Sequence, residues 1–595
     1  MYILGISCFY HESAACLIKD GRVVAASAEE RFSRKKHDSE FPKMAIDFCL
    51  LRAGITATDL DFVVFYEKPF WKFTRILISS LASWPQAHRF FAKSMVTWLS
   101  DKLWVRSIIS DKLAVERDKI LFAAHHVSHA ASAFYASGFG SACVLTFDGV
   151  GEWTTTTIGL GKGLDLEILS EIKFPHSLGL LYSVFTAFLG FEVNDGEYKV
   201  MGMAPYGLPK YLDRARKLVK RYGDGSYALR MEYFTYHKSS DRAFGSKFVE
   251  LFGEPRPRDL HFFTRSSGYP SYFGEKPKNY EDLCALNQKY ADIAASIQKL
   301  TEEVILDLAN YAHLKTGEEN LCIAGGVGLN SVANGLLAQK GPFKRIFVQP
   351  AAGDDGGAMG AALYVYHAVL RKKRQFVQDN CYFGAEFSEH EIEKFLKSKK
   401  IKYQKIVSEG KLVDYLSGEI ADGKVIGFFH SRAEWGPRAL GARSILADPR
   451  REEMKEVVNT KIKFREPYRP FAPVVLAQRA KDYFELDELD HQYLTNFMLG
   501  VFPVRRGMRK VIPAVTHVDG SGRLQIIAET QNARYYNLVK KFGDKTGVYV
   551  LLNTSFNLKG EPIVNSPEDA FNTFSKSGLD ILALERYIIL KEDIK

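Results

Sequence analysis

A chain of 595 residues is too long for a single hydrophobic core and suggests about two to four domains. Hydrophobic residues make up 46% and charged residues 25%, the balance of an ordinary soluble globular protein, and no run of about 18 uninterrupted apolar residues occurs that could span a membrane. The net charge of +10 suits nucleic acid, an anionic membrane or phosphorylated substrates without choosing among them.

Seven scattered cysteines (Cys8, Cys16, Cys49, Cys143, Cys284, Cys322 and Cys381) form no C-x-x-C pair and mostly sit in apolar runs. Reduced, buried thiols in a cytoplasmic protein are expected. The start, Met1-Tyr2-Ile3-Leu4-Gly5-Ile6, lacks a basic segment and reaches His11 and Glu12 too soon to serve as a signal peptide.

In chain order, Tyr2 to Ser7 reads as a buried strand. Ala14 to Lys19, the turn Asp20-Gly21 and Arg22 to Ser27 follow as a hairpin. Strand, polar turn and hairpin resemble the opening of the actin/sugar-kinase/Hsp70 type of nucleotide-binding fold. There the first turn faces phosphate, which makes His11 and Ser13 candidate polar contacts, with plain surface-turn residues as the alternative. Glu29 to Asp38 is dense in both charge signs. Such a run is expected to be a solvated loop, or a loop beside an active site that holds a polar acceptor.

Asp61 to Tyr66 reads as another strand. From residue 69 to 119 the character turns helical and aromatic-rich, and four of the six tryptophans (Trp71, Trp84, Trp98, Trp104) lie there among Lys and Arg. Two accounts stand: a helical insertion packed on the core, or an aromatic-basic face for a membrane surface or lipid-linked acceptor.

His125-His126-Val127-Ser128-His129 comes next. If Ala124 opens a helix, His125 and His129 share one face a turn apart and can bind one divalent cation. The zinc-protease pattern fails, because no Glu follows the first His. Asp148 ends the strand-like Val144 to Phe147 and enters the turn Gly149-Val150-Gly151-Glu152, where a carboxylate and free N–H groups can face a metal–phosphate. Thr154 to Leu160 is a further strand, and Asn194 to Gly207, a loop holding Glu197 and Lys199 before a Gly-rich break, is expected to form a ligand wall. Residues 208–275 lack periodicity and read as an insertion. A long amphipathic core helix follows, marked by Ala291, Ile293, Ile297, Leu300, Val304, Leu308 and Tyr311.

Leu321 to Ala324 then runs into Gly325-Gly326-Val327-Gly328-Leu329-Asn330, a strand entering a Gly-rich turn that opens a helix, which is a phosphate or nucleotide cradle. A strand from Arg345 to Gln349 and a second acidic turn, Gly353-Asp354-Asp355-Gly356-Gly357, complete the pattern. The spacing does not decide whether Asp354 or Asp355 is the ligand. A boundary is expected near Arg371 to Gln375, giving domains 1–375 and 376–595. The second domain carries Glu434 to Ser444 with Arg438, Asn459 to Pro473 with Lys463 and Arg469, His517 to Arg523, and Leu551 to Asn557 with Asn553 and Ser555. Cations placed in turns rather than along a helical face argue against a nucleic-acid stripe and suit a small oxyanion held by guanidinium forks.

Taken in order, Gly5-Ile6-Ser7 with His11, the HHxSH and DGxGE stretches, GEYKVMGMAPYG, PAAGDDGGAMGAAL, EWGPRALGARS and LLNTSFN resemble the O-carbamoyltransferases of the nodulation-factor, cephamycin and tobramycin type. The resemblance implies an α/β chain. Its first domain would be similar to the metal-binding subunit of the tRNA threonylcarbamoylation machinery, and its second to the α/β (YrdC-like) partner that forms an acyl adenylate. It implies that carbamoyl phosphate and ATP, with Mg, yield carbamoyl adenylate, and that the carbamoyl group then passes to a hydroxyl of a sugar, glycan, nucleoside, antibiotic or other natural-product acceptor. By the same resemblance His125, His129 and Asp354 would hold iron(II) or zinc. Asp148, with His11 and Lys199, would serve catalysis; Gly325, Gly326, Gly328, Asn330, Asp148 and Gly149 would meet nucleotide; Arg438, Lys463, Arg469, Arg523, Asn553 and Ser555 would form the carbamoyl phosphate and adenylate pocket. No nucleic-acid partner is expected, and a homodimer is compatible with the sequence.

Two other classes compete. A sugar-kinase-like phosphotransferase accounts for the nucleotide fold but not for the histidine pair or the arginine-rich second domain. A tRNA threonylcarbamoyl-type enzyme accounts for both and differs in acceptor. Residues 69–119 and 208–275 match nothing in these motifs, so the acceptor stays open.

Overall fold

The computed structural model describes residues 1–100, 102–239, 242–270, 273–486 and 492–594. The chain divides into two compact units. The first comprises Met1–Glu29, Ser39–Ser266 and Asn279–Gln378; the second comprises Glu30–Asp38, Ser267–Lys278 and Asp379–Lys595.

The first unit repeats one topology. Its first sheet contains β1 (Tyr2–Ser7), β2 (Ala14–Lys19), β3 (Arg22–Ala28), β4 (Phe62–Phe65) and β5 (Ile120–Phe122) in the order β3-β2-β1-β4-β5. The first three strands form an antiparallel meander, while β1, β4 and β5 run parallel, with Ile3 opposite Phe62. Asp20 and Gly21 have φ of 49° and 77°, the two positive values of a type I′ hairpin turn. The second sheet contains β6 (Ser141–Phe147), β7 (Thr154–Lys162) and β8 (Asp165–Lys173). A small separate pair, β9 (Val219–Arg221) and β10 (Tyr227–Leu229), intervenes before β11 (Asn320–Ala324) and β12 (Arg345–Val348). The order β8-β7-β6-β11-β12, with an antiparallel meander and a parallel pair on its far side, repeats the first sheet. This doubled pattern is the arrangement expected of an actin/sugar-kinase/Hsp70-like domain. The central strands bury both faces, which is why β1 and β6 read as unbroken apolar runs.

Two helices carry the chemistry-bearing segments of this unit. The His125–Phe134 helix links β5 to β6, and the Asp354–Tyr364 helix follows β12. They touch backbone to backbone: a Cβ on Gly360 would lie 1.8 Å from the Ser128 carbonyl oxygen. Only glycine allows this approach, and it sets the head of one helix against the face of the other. The 69–119 segment is helical as expected, over Pro69–Ala82, His88–Ser100 and Val105–Leu113. The aperiodic insertion packs through rings instead of a helical stripe. Phe244, Phe248 and Phe252 meet Phe188 at centroid distances of 5.6, 5.4 and 6.1 Å.

The second unit is α/β around one eight-stranded mixed sheet. Its strands are β13 (Gln404–Lys405), β14 (Ile426–Phe429), β15 (Arg443–Ala447), β16 (Ala472–Leu476), β19 (Gln525–Ile527), β20 (Val550–Ser555), β21 (Ile581–Leu584) and β22 (Tyr587–Leu590), and a separate pair is made of β17 (Val501–Pro503) and β18 (Ser521–Arg523). The order is β13-β22-β21-β14-β15-β20-β16-β19. The β14, β15, β16 and β21 strands are buried throughout.

One expectation is corrected here. The charged run Glu29 to Asp38 is not a solvated loop: Arg31 is buried and donates to the Gly436 carbonyl, while Arg34 donates to the carbonyls of Pro562 and Ile563 and pairs with Asp569 at 3.4 Å. Backbone carbonyls satisfy the guanidinium forks, so the run packs inside the second unit. Glu29, at its edge, accepts from the N–H groups of Met44 and Ala45 and caps the Lys43–Ala53 helix.

Candidate active site

The helix from His125 places His125 and His129 on one face, as the i, i+4 spacing predicts, with their Nε2 atoms 3.1 Å apart. The Asp148 Oδ2 lies 3.0 Å from His125 Nε2, and Asp354 Oδ1 lies 3.8 Å from His125 Nε2 and 3.5 Å from His129 Nε2. One donor atom from each of these four residues falls within 4.8 Å of every other. His126 points elsewhere: its ring shares hydrogen bonds with Thr146 Oγ1 and the Thr154 carbonyl, anchoring the helix to the second sheet. Burial pushes its pKa well below the ordinary value, with the charges of His125 and His129 adding to the effect.

Supporting groups hold this cluster. The Glu152 carboxylate accepts from the His125 N–H and caps the helix, which explains the Glu of the DGxGE turn. Tyr66 donates its hydroxyl to Asp354 Oδ2 at 3.2 Å. The buried Glu67 carboxylate lies 3.7 Å from His125 Nδ1 and accepts from Lys72 Nζ at 2.8 Å. Burial works against the charge on His125, but Asp148, Glu67 and Asp354 together hold its pKa up to about 10. Burial likewise raises Asp148, yet the His125 hydrogen bond and the nearby imidazoles hold it far below the usual carboxylate range. Two imidazoles and two carboxylates on one point, with a carboxylate behind one imidazole, are a donor set that could hold a divalent cation. Between the two candidates of the acidic turn, Asp354 joins the cluster, whereas Asp355 folds its Oδ1 onto the Gly356 N–H at 2.9 Å.

The Gly-rich turn meets the same cluster. Asp148 Oδ1 accepts from the Gly326 N–H at 3.1 Å. Gly325 has φ 91°, and a Cβ there would lie 2.1 Å from the Phe147 carbonyl oxygen, so only glycine fits between β11 and β6. Gly328 closes a turn onto the Gly325 carbonyl, and the Asn330 Oδ1 caps the Ser331–Lys340 helix while its amide reaches Gln298. Gly149 lies in the turn after Asp148, its carbonyl accepting from Ser177 Oγ at 2.7 Å. His11 sits in the turn after β1 with Nδ1 3.8 Å from Glu12 Oε1, and Ser13 donates to the Glu40 carbonyl. Lys199 lies on the Glu197–Met203 helix with Nζ 5.7 Å from the Phe191 ring centre.

In the second unit the loop between β14 and β15 is built by Glu434, whose Oε1 accepts from the N–H groups of Leu440, Ala442 and Arg443. Arg443 is fully buried over the Phe429 ring at 3.6 Å, and its guanidinium donates to the carbonyls of His430, Ser431, Ala442 and Ala385. The other arginine of that motif, Arg438, lies only half-buried. It joins Arg469 and Arg523: burial first, then the charges of Arg438 and Arg469, pushes the Arg523 pKa well below its ordinary value. The buried Lys463 ammonium donates to the Ser555 carbonyl at 2.6 Å, Asn557 Oδ1 at 2.6 Å and Ser555 Oγ at 3.2 Å. Burial, then Arg465 and Arg469, lowers its pKa strongly. Asn553, at the same strand end, donates to the Ala439 carbonyl and Gln525 Oε1 and leaves its own Oδ1 buried without a hydrogen bond. His517 stands beside this group with Nε2 buried and without a hydrogen bond. Burial lowers its pKa to about 4, where Lys455 and Arg523 add to the effect and Asp519 opposes it. Converging cations of this kind are what a multiply charged oxyanion requires.

Sequence reasoning passed over Tyr66, Glu67, Lys72, Lys455, Arg465 and His517 as site residues. For Glu67 a signal existed, a carboxylate two residues after the apolar strand Phe62–Phe65, close to the arrangement that marks Asp148.

The carbamoyltransferase N-terminus family matches residues 2–363 and the carbamoyltransferase C-terminus family matches residues 417–591. The protein sll1178 of Synechocystis sp. is 45% identical over 99% of this chain and 97% of its own length. Nodulation protein NolNO of Sinorhizobium fredii is 36% identical over 98% of this chain and 79% of its own. The 3'-hydroxymethylcephem-O-carbamoyltransferase of Amycolatopsis lactamdurans is 34% identical over 51% of this chain and 55% of its own. With both family halves matched in order around these two clusters, the chain belongs to the carbamoyltransferase family and is a transferase.

Proposed function

We propose that this protein is an ATP-dependent O-carbamoyltransferase working in two steps. In the first, carbamoyl phosphate reacts with water to give carbamate and phosphate, and a carbamate oxygen attacks the α-phosphorus of ATP, expelling pyrophosphate and leaving carbamoyl adenylate. In the second, an acceptor hydroxyl attacks the carbamoyl carbon, forming the O-carbamoyl ester and releasing AMP and a proton. The observation that carries this proposal is the pairing, on one chain of this family, of an oxyanion-type cation cluster with a separate imidazole–carboxylate cluster beside a Gly-rich turn.

Arg438, Lys463, Arg469 and Arg523 are assigned to the dianion of carbamoyl phosphate. Bringing carbamate up to ATP sets two negative species against each other, and fixed cations lower that repulsion and stabilise the expelled phosphate. Asn553 and Ser555, at the end of β20, orient the planar carbamoyl group. In the first unit, His125, His129, Asp148 and Asp354 would hold a divalent cation, which when bound supplies an anchor for adenylate phosphate and polarises the group to be attacked. The turn Gly325-Gly326-Val327-Gly328 offers N–H donors to nucleotide phosphate, with Gly149 and Asn330 shaping its walls and Mg accompanying ATP. Asp148 stays ionised at all physiological pH, and it takes the hydroxyl proton as the C–O bond forms and the oxygen becomes acidic. His11 and Lys199 are assigned to polar contacts around the reacting groups. The acceptor is a hydroxylated small molecule or glycan.

Carbamoyl-phosphate-dependent exchange of labelled pyrophosphate into ATP tests the first step. Exchange that occurs without carbamoyl phosphate, or none with it, overturns the proposal. A mass gain of one carbamoyl unit on a hydroxylated metabolite of the host tests the second.

A further inference from the structure

The Pro69–Ala82 helix is amphipathic in the inverted sense. Its inner face buries Lys72, Arg75 and Ser80, whereas its outer face shows Phe70, Trp71, Ile78 and Leu81 at 67, 55, 48 and 57% exposed. Two of the inner polar groups are held beside the imidazole–carboxylate cluster. Lys72 pairs with Glu67, and Arg75 donates to the Gly151 carbonyl at 3.0 Å. Trp84 and, on the following segments, Val96 and Trp104 are more than half exposed as well. An exposed apolar face of this kind, broken only by Thr74 among the described residues of the Pro69–Ala82 helix, marks a binding surface.

The surrounding charge identifies the partner. Apart from the inward-facing Lys72 and Arg75, the sequence from residue 68 to 110 carries Lys68, Arg89, Lys93, Lys102 and Arg106 against the single acid Asp101. Arg89, Lys93 and Arg106 are exposed, and Lys68 Nζ lies 4.3 Å from the Trp71 ring centre. A second copy meeting this face through a two-fold axis would set these cations against their own counterparts. An anionic lipid surface answers both features, since it accepts the apolar stripe and attracts the basic rim. No helix among the described residues is long and apolar enough to cross a membrane, so the contact is one of lying on the surface.

We propose that the outer face of residues 69–104 docks the protein on an anionic phospholipid bilayer. One helix then separates lipid headgroups from the imidazole–carboxylate cluster, a span of about 10–12 Å. The membrane contact stands on exposure and charge alone and does not depend on the carbamoyl-transfer chemistry proposed above.

Sedimentation of the full chain with vesicles tests it. The wild-type protein should pellet with vesicles of phosphatidylcholine mixed with phosphatidylglycerol, less with phosphatidylcholine alone, and less again as salt rises. Replacing Trp71, Ile78 and Leu81 together by Ser should weaken partitioning about 100-fold or more, with pyrophosphate exchange unchanged. A measurement without apolar truncation accompanies it: brominated phosphatidylglycerol should quench tryptophan emission of the wild type, and Trp71→Phe with Trp84→Phe should remove most of that quenching. Wild-type protein left in the supernatant with anionic vesicles overturns the proposal. So does equal partitioning of the triple variant, or a wild-type dimer that the triple substitution converts to monomer.

Discussion

Arg523→Met tests the cation cluster most sharply, because it separates stability from binding. Arg523 is held beside Arg438 and Arg469, and no anion of the chain is hydrogen-bonded to it among the described contacts. In the absence of ligand the guanidinium opposes folding, so its removal should leave the protein as stable or more stable by about 1–2 kcal/mol at an effective dielectric near 20. Removal of a guanidinium–phosphate contact, worth ~1.5–3 kcal/mol, should weaken anion affinity roughly 10- to 150-fold. Phosphate at about a hundred times its Kd adds ~2.7 kcal/mol to the wild type. For a unit of this size that is a rise of roughly 5–11 °C in Tm. The assay is thermal unfolding of wild type and variant, in chloride and in phosphate at matched ionic strength. The wild type should gain Tm in phosphate, and Arg523→Met should start at or above the wild-type chloride value and gain little. A variant that is clearly less stable than wild type in chloride would refute the reasoning, as would a wild type indifferent to phosphate.

Three further outcomes follow from the same geometry. His129→Ala should lose bound metal by elemental analysis and lose acceptor carbamoylation, yet keep pyrophosphate exchange, and stoichiometric metal in the variant would remove His129 from the ligand set. Glu67→Gln should lower metal affinity about 10- to 100-fold, the usual cost of losing a carboxylate behind a ligating histidine, and it should lower Tm because Lys72 is left as a buried cation without its 2.8 Å partner; Lys72→Met in the same background should recover the Tm but not the metal. Because His517 has a folded pKa of about 4 against an ordinary value near 6.5, the unfolded chain takes up a proton there that the folded one refuses. Stability should therefore fall as pH drops from about 6.5 to 4, by up to about 3 kcal/mol, and His517→Asn should flatten that part of the wild-type curve.

The helix period made His125 and His129 legible, because an i, i+4 pair shares a face wherever the helix lies. Asp148 and Asp354 were legible as carboxylates entering Gly turns, and the close approach at Gly360 is what brings Asp354 to the histidines. The doubled sheet was legible in part: the hairpin at Asp20-Gly21 announces its turn, but β8 went unread because Asp165–Lys173 alternates charge and half-buried residues without an apolar run. Glu67 could be noticed as a carboxylate after a strand, but its contact with His125 spans 58 residues and that of Tyr66 with Asp354 spans 288, so neither is visible in a local pattern. The EWGPRALGARS stretch gives the clearest limit. Arg438 and Arg443 are the same residue type in one turn, yet one is wrapped by four carbonyls and the other stands among cations. Depth in the fold decides between them, and depth is not written in a local pattern.

The two clusters break the ordinary rules of burial in opposite ways. In the first unit, imidazoles and carboxylates meet in nearly balanced numbers, and each depressed carboxylate has its elevated or neighbouring histidine, so the cluster is tolerable without ligand and ready for a cation. In the second, Arg438 and Arg469 press on the guanidinium of Arg523, and Arg465 and Arg469 on the ammonium of Lys463, with Glu561 opposing part of that charge and Glu466 meeting Arg469 at 3.6 Å. The cation–cation repulsion that burdens Arg523 and Lys463 is relieved when an anion enters, so it adds to the affinity for phosphate. Residues that defeat local expectation therefore concentrate where a ligand completes the structure. The outward-facing Phe70, Trp71, Ile78 and Leu81 obey the same logic: their exposure is a cost in water that a lipid surface would remove.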